Sequence, residues 1–262
     1  MLRNLKQIEG RALRARDGTL GEVKDFLLDD AHWHIRYLVV ETGAWLNTRR
    51  VLVSSDVVGA NQSDPDVFPV DLTMDQVRHS PELNANNPVA NEQEAALRMY
   101  YGWPAYWDAF TSVAVPIITT AVNTLGPGTL PTSPPPTPLS DPHLRSANDL
   151  VGFHLAEMDD AIGHVEDCLV DEKGWRIWYL IIDTGRWLPG RRVIVAPSWI
   201  RHIDWEKKRV TLGLTRKAIE ASPPYEAGAS WNREYVDRLH DYYGMPRSVE
   251  SVEDAAGSGP RL

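Results

Sequence analysis

Cysteine is almost absent: Cys168 stands alone among 262 residues. One thiol forms neither an internal disulfide nor an all-cysteine metal site, so a reducing cytoplasm is the expected setting. Long apolar runs are missing as well. The most apolar stretch, Val113 to Val122, is interrupted by Pro116 and two threonines, well short of the roughly 20 apolar residues that span a bilayer. The opening Met1-Leu2-Arg3-Asn4-Leu5-Lys6 lacks the apolar centre of a signal peptide. Positive charge is in deficit, with 27 Lys and Arg against 36 Asp and Glu and a net charge of −9. An acidic balance repels a phosphate backbone, which disfavours direct DNA or RNA binding. No Gly-x-Ser-x-Gly, P-loop, dinucleotide fingerprint or His-Glu-x-x-His occurs. The expectation is a protein without catalytic residues, cofactor or metal.

What is present is a repeat. Gly152 stands 142 residues after Gly10, and the same offset sets Gly21 on Gly163, Trp33 on Trp175 and Tyr37-Leu38 on Tyr179-Leu180. Thr42-Gly43 fall on Thr184-Gly185, Trp45-Leu46 on Trp187-Leu188, and Arg49-Arg50-Val51 on Arg191-Arg192-Val193. Further along, Thr73 meets Thr215, Ser80-Pro81 meet Ser222-Pro223, and Tyr100-Tyr101-Gly102 meet Tyr242-Tyr243-Gly244. One ungapped offset over about ninety-five residues, roughly a third of them identical, marks an internal duplication.

Each copy has strand signals first and helix signals last. Residues 10–15 alternate and end at Asp17-Gly18, a turn dipeptide suited to a tight hairpin. Leu20 to Leu28 reads as the next strand. Ile35 to Val40, like Ile177 to Ile182, reads as an apolar, β-branched run, with Arg36 its one charged residue, so both its faces need cover, from the barrel interior and from a helix or the sister repeat. Residues 200–204 and 209–214 suggest a closing hairpin, with a looser version near Asn61 to Pro69. Thr73 and Thr215 are placed as N-caps of short helices. Longer helices are expected from about Asn91 to Tyr101 and Asn232 to Tyr243. Gly102 and Gly244 suit their C-terminal ends, and Pro104 and Pro246 prevent continuation. Between the copies, Gly126 to Pro142 is proline-rich and reads as a semi-rigid spacer. The chain therefore divides into a first repeat with its helices (1–111), a linker (112–146), a second repeat with its helices (147–247) and a Ser/Gly/Glu-rich disordered tail (248–262).

The series Trp-x-Ile-x-Tyr-Leu followed by Thr-Gly-x-Trp-Leu-x-x-Arg-Arg-Val resembles the PRC-barrel family over Leu5 to Leu72 and again over Ala147 to Leu214. That family is named from the H subunit of the photosynthetic reaction centre and includes the C-terminal domain of a bacterial ribosome-maturation factor. The resemblance implies a mainly β fold with short C-terminal helices, built as two tandem small β-barrels and used for protein–protein contact. Equal units with strands apolar on both sides suggest packing as a pseudo-two-fold pair. The membrane helix of the one relative and the N-terminal domain of the other have no counterpart here, so neither specific function carries over.

The best candidate interaction residues are Trp45, Arg49 and Arg50 with Trp187, Arg191 and Arg192, since an aromatic beside paired guanidiniums is interface chemistry. The structural alternative is that Arg stacks on Trp and pairs with Glu41 or Asp183 to hold the turn. Trp178 and Trp199 join the set because the copies differ there, Arg36 standing against Trp178, Val57 against Trp199 and Ser63 against Trp205. His32 and His34, two apart, would share one side of a strand, but no third ligand is positioned beside them. Cys168, opposite Phe26 in the alignment, reads as a small hydrophobe. The functional expectation is a soluble adaptor binding an unidentified protein partner, with homo-oligomerisation open. The alternatives are a ribosome-associated assembly factor and a small-molecule binder or enzyme with a pocket between the barrels.

Overall fold

The computed structural model describes residues 2–59, 64, 66–81, 91–104, 144–157, 160–185, 189–225 and 233–244. The linker's Gly126 to Pro142, the tail from residue 248 and Trp187 all lie outside these. Each half begins with an arm, Leu2–Asn4 (β1) running into a helical turn at Leu5–Ile8, and Leu144–Ser146 (β7) running into Ala147–Leu150. The first sheet then comprises Ala12–Ala15 (β2), Gly18–Asp29 (β3), His34–Thr42 (β4), Arg50–Ser54 (β5) and Val67–Pro69 (β6). The second comprises His154–Glu157 (β8), Asp160–Asp171 (β9), Ile177–Asp183 (β10), Arg192–Val195 (β11), Ile200–Asp204 (β12) and Arg209–Leu212 (β13). The protein is mainly β with short helices.

The strands run β5-β4-β3-β2-β6 in one sheet and β11-β10-β9-β8-β13-β12 in the other. Ala15 pairs with Gly18, so the expected hairpin turns at Arg16-Asp17, one residue earlier than Asp17-Gly18 suggested. Among the described residues no ladder joins the first and last strand of either order. The gap is spanned in the first half by a single bridge, Val58 to Val70, and in the second by a 3-10 turn at Pro197–Trp199 leading from β11 to β12.

Strand β4, apolar from Tyr37 to Val40, is covered on both faces, as that composition required. Ile35, Leu38 and Val40 of β4 enter the main core, while Tyr37 and Val39 face a second cluster with Leu27, Leu52 and Leu97. Leu97 belongs to the helix Asn91–Tyr101, and its counterpart Leu239 in Arg233–Tyr243 is equally buried. Both long helices stop at a left-handed glycine, Gly102 at φ 69° and Gly244 at φ 59°. Thr73 and Thr215 cap the short helices Met74–Arg78 and Arg216–Ala221, Thr73 with Gln76 as a full capping box. Tyr100 then donates to the Gln76 carbonyl and Tyr242 to that of Ala218, both at 2.9 Å, tying long helix to short helix alike in each half. Cys168 is fully buried, and burial pushes its thiol far up, so it packs as the hydrophobe expected.

The arms do not join the sheets of their own halves. Leu2, Arg3 and Asn4 pair with Asp171, Val170 and Leu169 of β9, and Leu144, Arg145 and Ser146 pair with Asp29, Leu28 and Leu27 of β3. These are one pairing made twice, related by the repeat offset. At the centre of the seam, Ile35 donates its N–H to Trp175 O at 2.7 Å and Ile177 donates to Trp33 O at 2.8 Å. Between them lies an isolated antiparallel bridge joining His34 to Arg176, themselves equivalent positions. Arg3 pairs with Glu172 at 2.8 Å and Arg145 with Asp30 at 3.8 Å. Leu144–Ser146, the last three residues of the stretch read as linker, are thus a strand of the sister sheet.

Candidate functional site

The duplicated arginine doublet splits by strand alternation. Arg49 turns inward and donates through Nη2 to Val77 O (3.1 Å), Ser80 O (3.2 Å) and Ser80 Oγ (2.8 Å), closing the C-terminal end of the short helix. Arg191 makes the corresponding bond to Ser222 O. Cations at a helix C-terminus satisfy orphan carbonyls and oppose the helix dipole, so Arg49 and Arg191 hold the fold. Arg50 and Arg192 turn outward. Arg50 lies 3.8 Å from Glu41, and Arg192 forks onto Glu166 at 2.5 and 2.8 Å rather than onto Asp183 as the sequence suggested. Exposed pairs of this kind contribute about 0–1 kcal/mol.

Trp45 is half-buried and donates its indole N–H to Leu20 O at 2.8 Å. The guanidinium over its ring belongs to Arg78, at 5.9 Å, and not to either residue of the doublet. Trp199 is a correction. At 3% exposure it is a core residue packed on Tyr243 and His240, so the reading of it as a contact surface fails. Its neighbours explain why: the long helix needs a flat apolar partner on that side, and an indole supplies it. Trp205 is likewise turned to the seam, donating to Asp30 at 2.9 Å with Arg145 over its ring. Ser63, set against Trp205 in the alignment, lies outside the described residues.

His32 and His34 do not share a strand face. His32 sits in the turn before β4 and reaches back to Asp29 at 2.9 Å, while His34 begins the strand and contacts Ile35 O at 3.1 Å. Burial would raise the Asp29 carboxyl, but hydrogen bonds from Arg36 (2.8 Å) and His32 outweigh it and hold the group below its ordinary value. No cluster of metal-ligating side chains occurs among the described residues.

A second pair of carboxylates seals the seam, one at each equivalent place. Asp25 accepts from Ser146 Oγ at 2.6 Å and from the Asn148 backbone at 3.2 Å. Asp167 accepts from Asn4 Nδ2 at 3.1 Å and the Lys6 backbone at 3.4 Å. Burial raises both groups above the ordinary carboxylate value despite these bonds. A raised folded-state value means that the native protein holds extra protons between the unfolded value and the folded one. Stability therefore falls as pH rises through that window and stays reduced above it. Asp25→Asn combined with Asp167→Asn keeps the shapes and removes the charges. Urea unfolding should show the variant gaining on the parent as pH goes from 4 to 7; a constant difference between the two proteins would refute the assignment.

At one side of the seam, between the turn carrying Ala31, His32 and Trp33 and the second half, lies a cleft of about 460 Å³. Arg176, Trp178, Tyr179, Ser198 and His240 are among its lining residues. Arg176 is placed over the Trp178 ring at 4.8 Å. Tyr179, whose hydroxyl is pushed up to about 12 by burial, lies 3.1 Å from His240 Nε2. Of the residues singled out in the sequence, the structure brings Trp178 and His32 to this cleft, and Trp33, Arg176 and His240 join it unforeseen. The signal that pointed to Trp178, divergence between equivalent positions, marks Arg176 and His240 as well, since they stand where the first half has His34 and Arg98.

Two sheets of like strand order, each with an arm given to its twin and a pair of trailing helices, define a tandem β-rich scaffold. The family model of the PRC-barrel domain matches residues 3–77 and again 142–217, more than half of the chain. The protein belongs to the PRC-barrel family and carries two such domains in tandem. Among curated proteins none matches the chain. Among the described residues no helix is long and apolar enough to cross a membrane.

Proposed function

We propose that this protein is a non-catalytic, soluble cytoplasmic adaptor whose two PRC-barrel domains form a pseudo-two-fold pair and bind a protein partner through both halves. In this reading each domain is a small barrel, and each lends its N-terminal arm to its twin. The observation that carries the reading is the split doublet. In both halves one arginine, Arg49 or Arg191, is committed to the fold, and its neighbour, Arg50 or Arg192, is exposed on the strand at the sheet edge. In the first half, half-buried Trp45 carries the Arg78 guanidinium over its ring at 5.9 Å, and an arginine next to an anchored indole is the composition of an interface centre. Two exposed arginines at equivalent places on one chain would act together, so weak contacts sum to a firm one.

The test uses the full chain as bait in a lysate of its source, comparing the parent with Arg50→Ala plus Arg192→Ala. The expected result is loss of a specific partner with thermal unfolding shifted by no more than a few degrees, because exposed pairs contribute little stability. Retention of every partner by the double variant would remove the doublet from the site. Arg49→Ala should behave in the opposite manner and cost about 1–3 kcal/mol of stability, leaving buried acceptors unpaired, as read by urea unfolding.

A further inference from the structure

We propose that the cleft beside Trp178 is a binding site for a small planar anion, an aromatic or conjugated carboxylate. This does not depend on the adaptor reading, because the cleft shares no residue with the arginine doublet. Its size, about 460 Å³, falls in the range of small-molecule sites.

The lining points to the ligand's chemistry. Two indoles, Trp33 and Trp178, offer flat apolar faces, and both are half-buried. Arg176 lies against one of them at 4.8 Å, bringing a permanent positive charge to an apolar wall. His32 and His240 are the other ionisable bases, and none of the described lining residues is acidic. In a chain of net charge −9, that local composition is the reverse of the average. Two carboxylates do approach from outside the lining. Asp29 holds His32 and is itself held by Arg36, and Asp237 lies close enough to Tyr179 to add to its upward shift. A ring stacked on indole with its carboxylate toward a guanidinium uses both features at once.

The duplication supplies an internal control. Where the second half has Arg176, Trp178, Val236 and His240, the first half has His34, Arg36, Glu94 and Arg98. There the polar groups satisfy one another. Arg36 bonds Asp29 at 2.8 Å, Arg98 lies 3.4 Å from Glu94 and donates to Pro104 O at 2.5 Å, and Tyr37 donates to Glu94 at 2.8 Å. In the second half a valine replaces that glutamate and a shorter imidazole replaces that arginine. Positions that form an internal network in the first copy line a cleft in the second.

Titration of the full chain with 2-naphthoate, followed by calorimetry and by indole NMR signals, tests the proposal against the neutral isostere 2-naphthamide. The expected result is one naphthoate per chain, with the amide at least about tenfold weaker because it lacks the charge. Arg176→Gln should weaken naphthoate about tenfold and leave the amide unaffected, and Trp178→Ala should weaken both. Val236→Glu with His240→Arg transplants the first half's network, which that half already accommodates, and should abolish binding in a folded protein. If the transplant fails to fold, the two single variants decide. Equal binding of acid and amide would reduce the cleft to an apolar patch. Unchanged binding in Arg176→Gln and Trp178→Ala, or no binding at millimolar ligand, would overturn the site.

Discussion

Gly21→Ala is expected to destabilise the protein by about 3–5 kcal/mol, and Gly163→Ala by as much. A methyl group built on Gly21 would stand 2.0 Å from Glu41 O, and one on Gly163 would stand 2.1 Å from Asp183 O. Both obstacles are strand backbone, locked in the ladders that join β3 to β4 and β9 to β10. No rotamer change relieves such a contact, so the strands must separate or the ladder must break. For a protein whose whole folding free energy is of order 5–15 kcal/mol, that is a large fraction. Gly174→Ala serves as the comparison, since its nearest neighbour is a side-chain oxygen at 3.5 Å, and it should stay within about 1 kcal/mol of the parent. Urea unfolding of the three variants makes the measurement. Gly21→Ala within about 1 kcal/mol of the parent would mean that the two strands are not so close.

The second large effect is at Trp175. Trp175→Ala should cost about 3 kcal/mol, and Trp33→Ala clearly less. The two tryptophans are equivalent in sequence and share a left-handed backbone, with φ 53° and 57°. That strain is retained when alanine replaces either one, so it cancels from the comparison and leaves packing to decide. Trp175 is 2% exposed and packs on Phe68 of the other half at 5.9 Å, whereas Trp33 is half-buried at the cleft. One offset applies. The Trp175 indole N–H has no hydrogen-bond partner among the described residues, and burying it costs about 1–3 kcal/mol. The value of about 3 kcal/mol, at the low end for removing a large core side chain, allows for this. Equal losses at the two positions would show that the halves meet with the same packing at both.

Much of this architecture is written in local sequence. The offset of Gly10 to Gly152 identified two units, and the family match finds the same two. Thr73, Thr215, Gly102 and Gly244 end helices as capping chemistry demands, because a cap is decided by a few neighbouring residues. The alternation that makes Arg49 and Arg50 face opposite ways is equally local, although what each would meet was not. Trp199 shows the limit. Divergence from Val57 suggests a new surface, but burial against Tyr243 and His240 makes it core. Sequence comparison detects that a position has changed its neighbours, not on which side of the protein those neighbours lie.

The arms show the limit most clearly. Leu2-Arg3 recur as Leu144-Arg145 at the repeat offset, yet so short a stretch carries no alternation, and Leu144–Ser146 reads as linker. Neither the strand nor its destination is legible locally. When two sheets carry nearly the same edge pattern, an arm fits its own sheet and its twin's with similar local chemistry, and only the path of the chain through space selects one. The sequence alone determined the duplication, the strand-then-helix order and the caps, all products of short-range sterics and periodicity. Tertiary structure alone decided the exchange of arms, the paired seals at Asp25 and Asp167, and the cleft at Trp178. Each of these depends on residues more than a hundred positions apart meeting across a seam that no local pattern encodes.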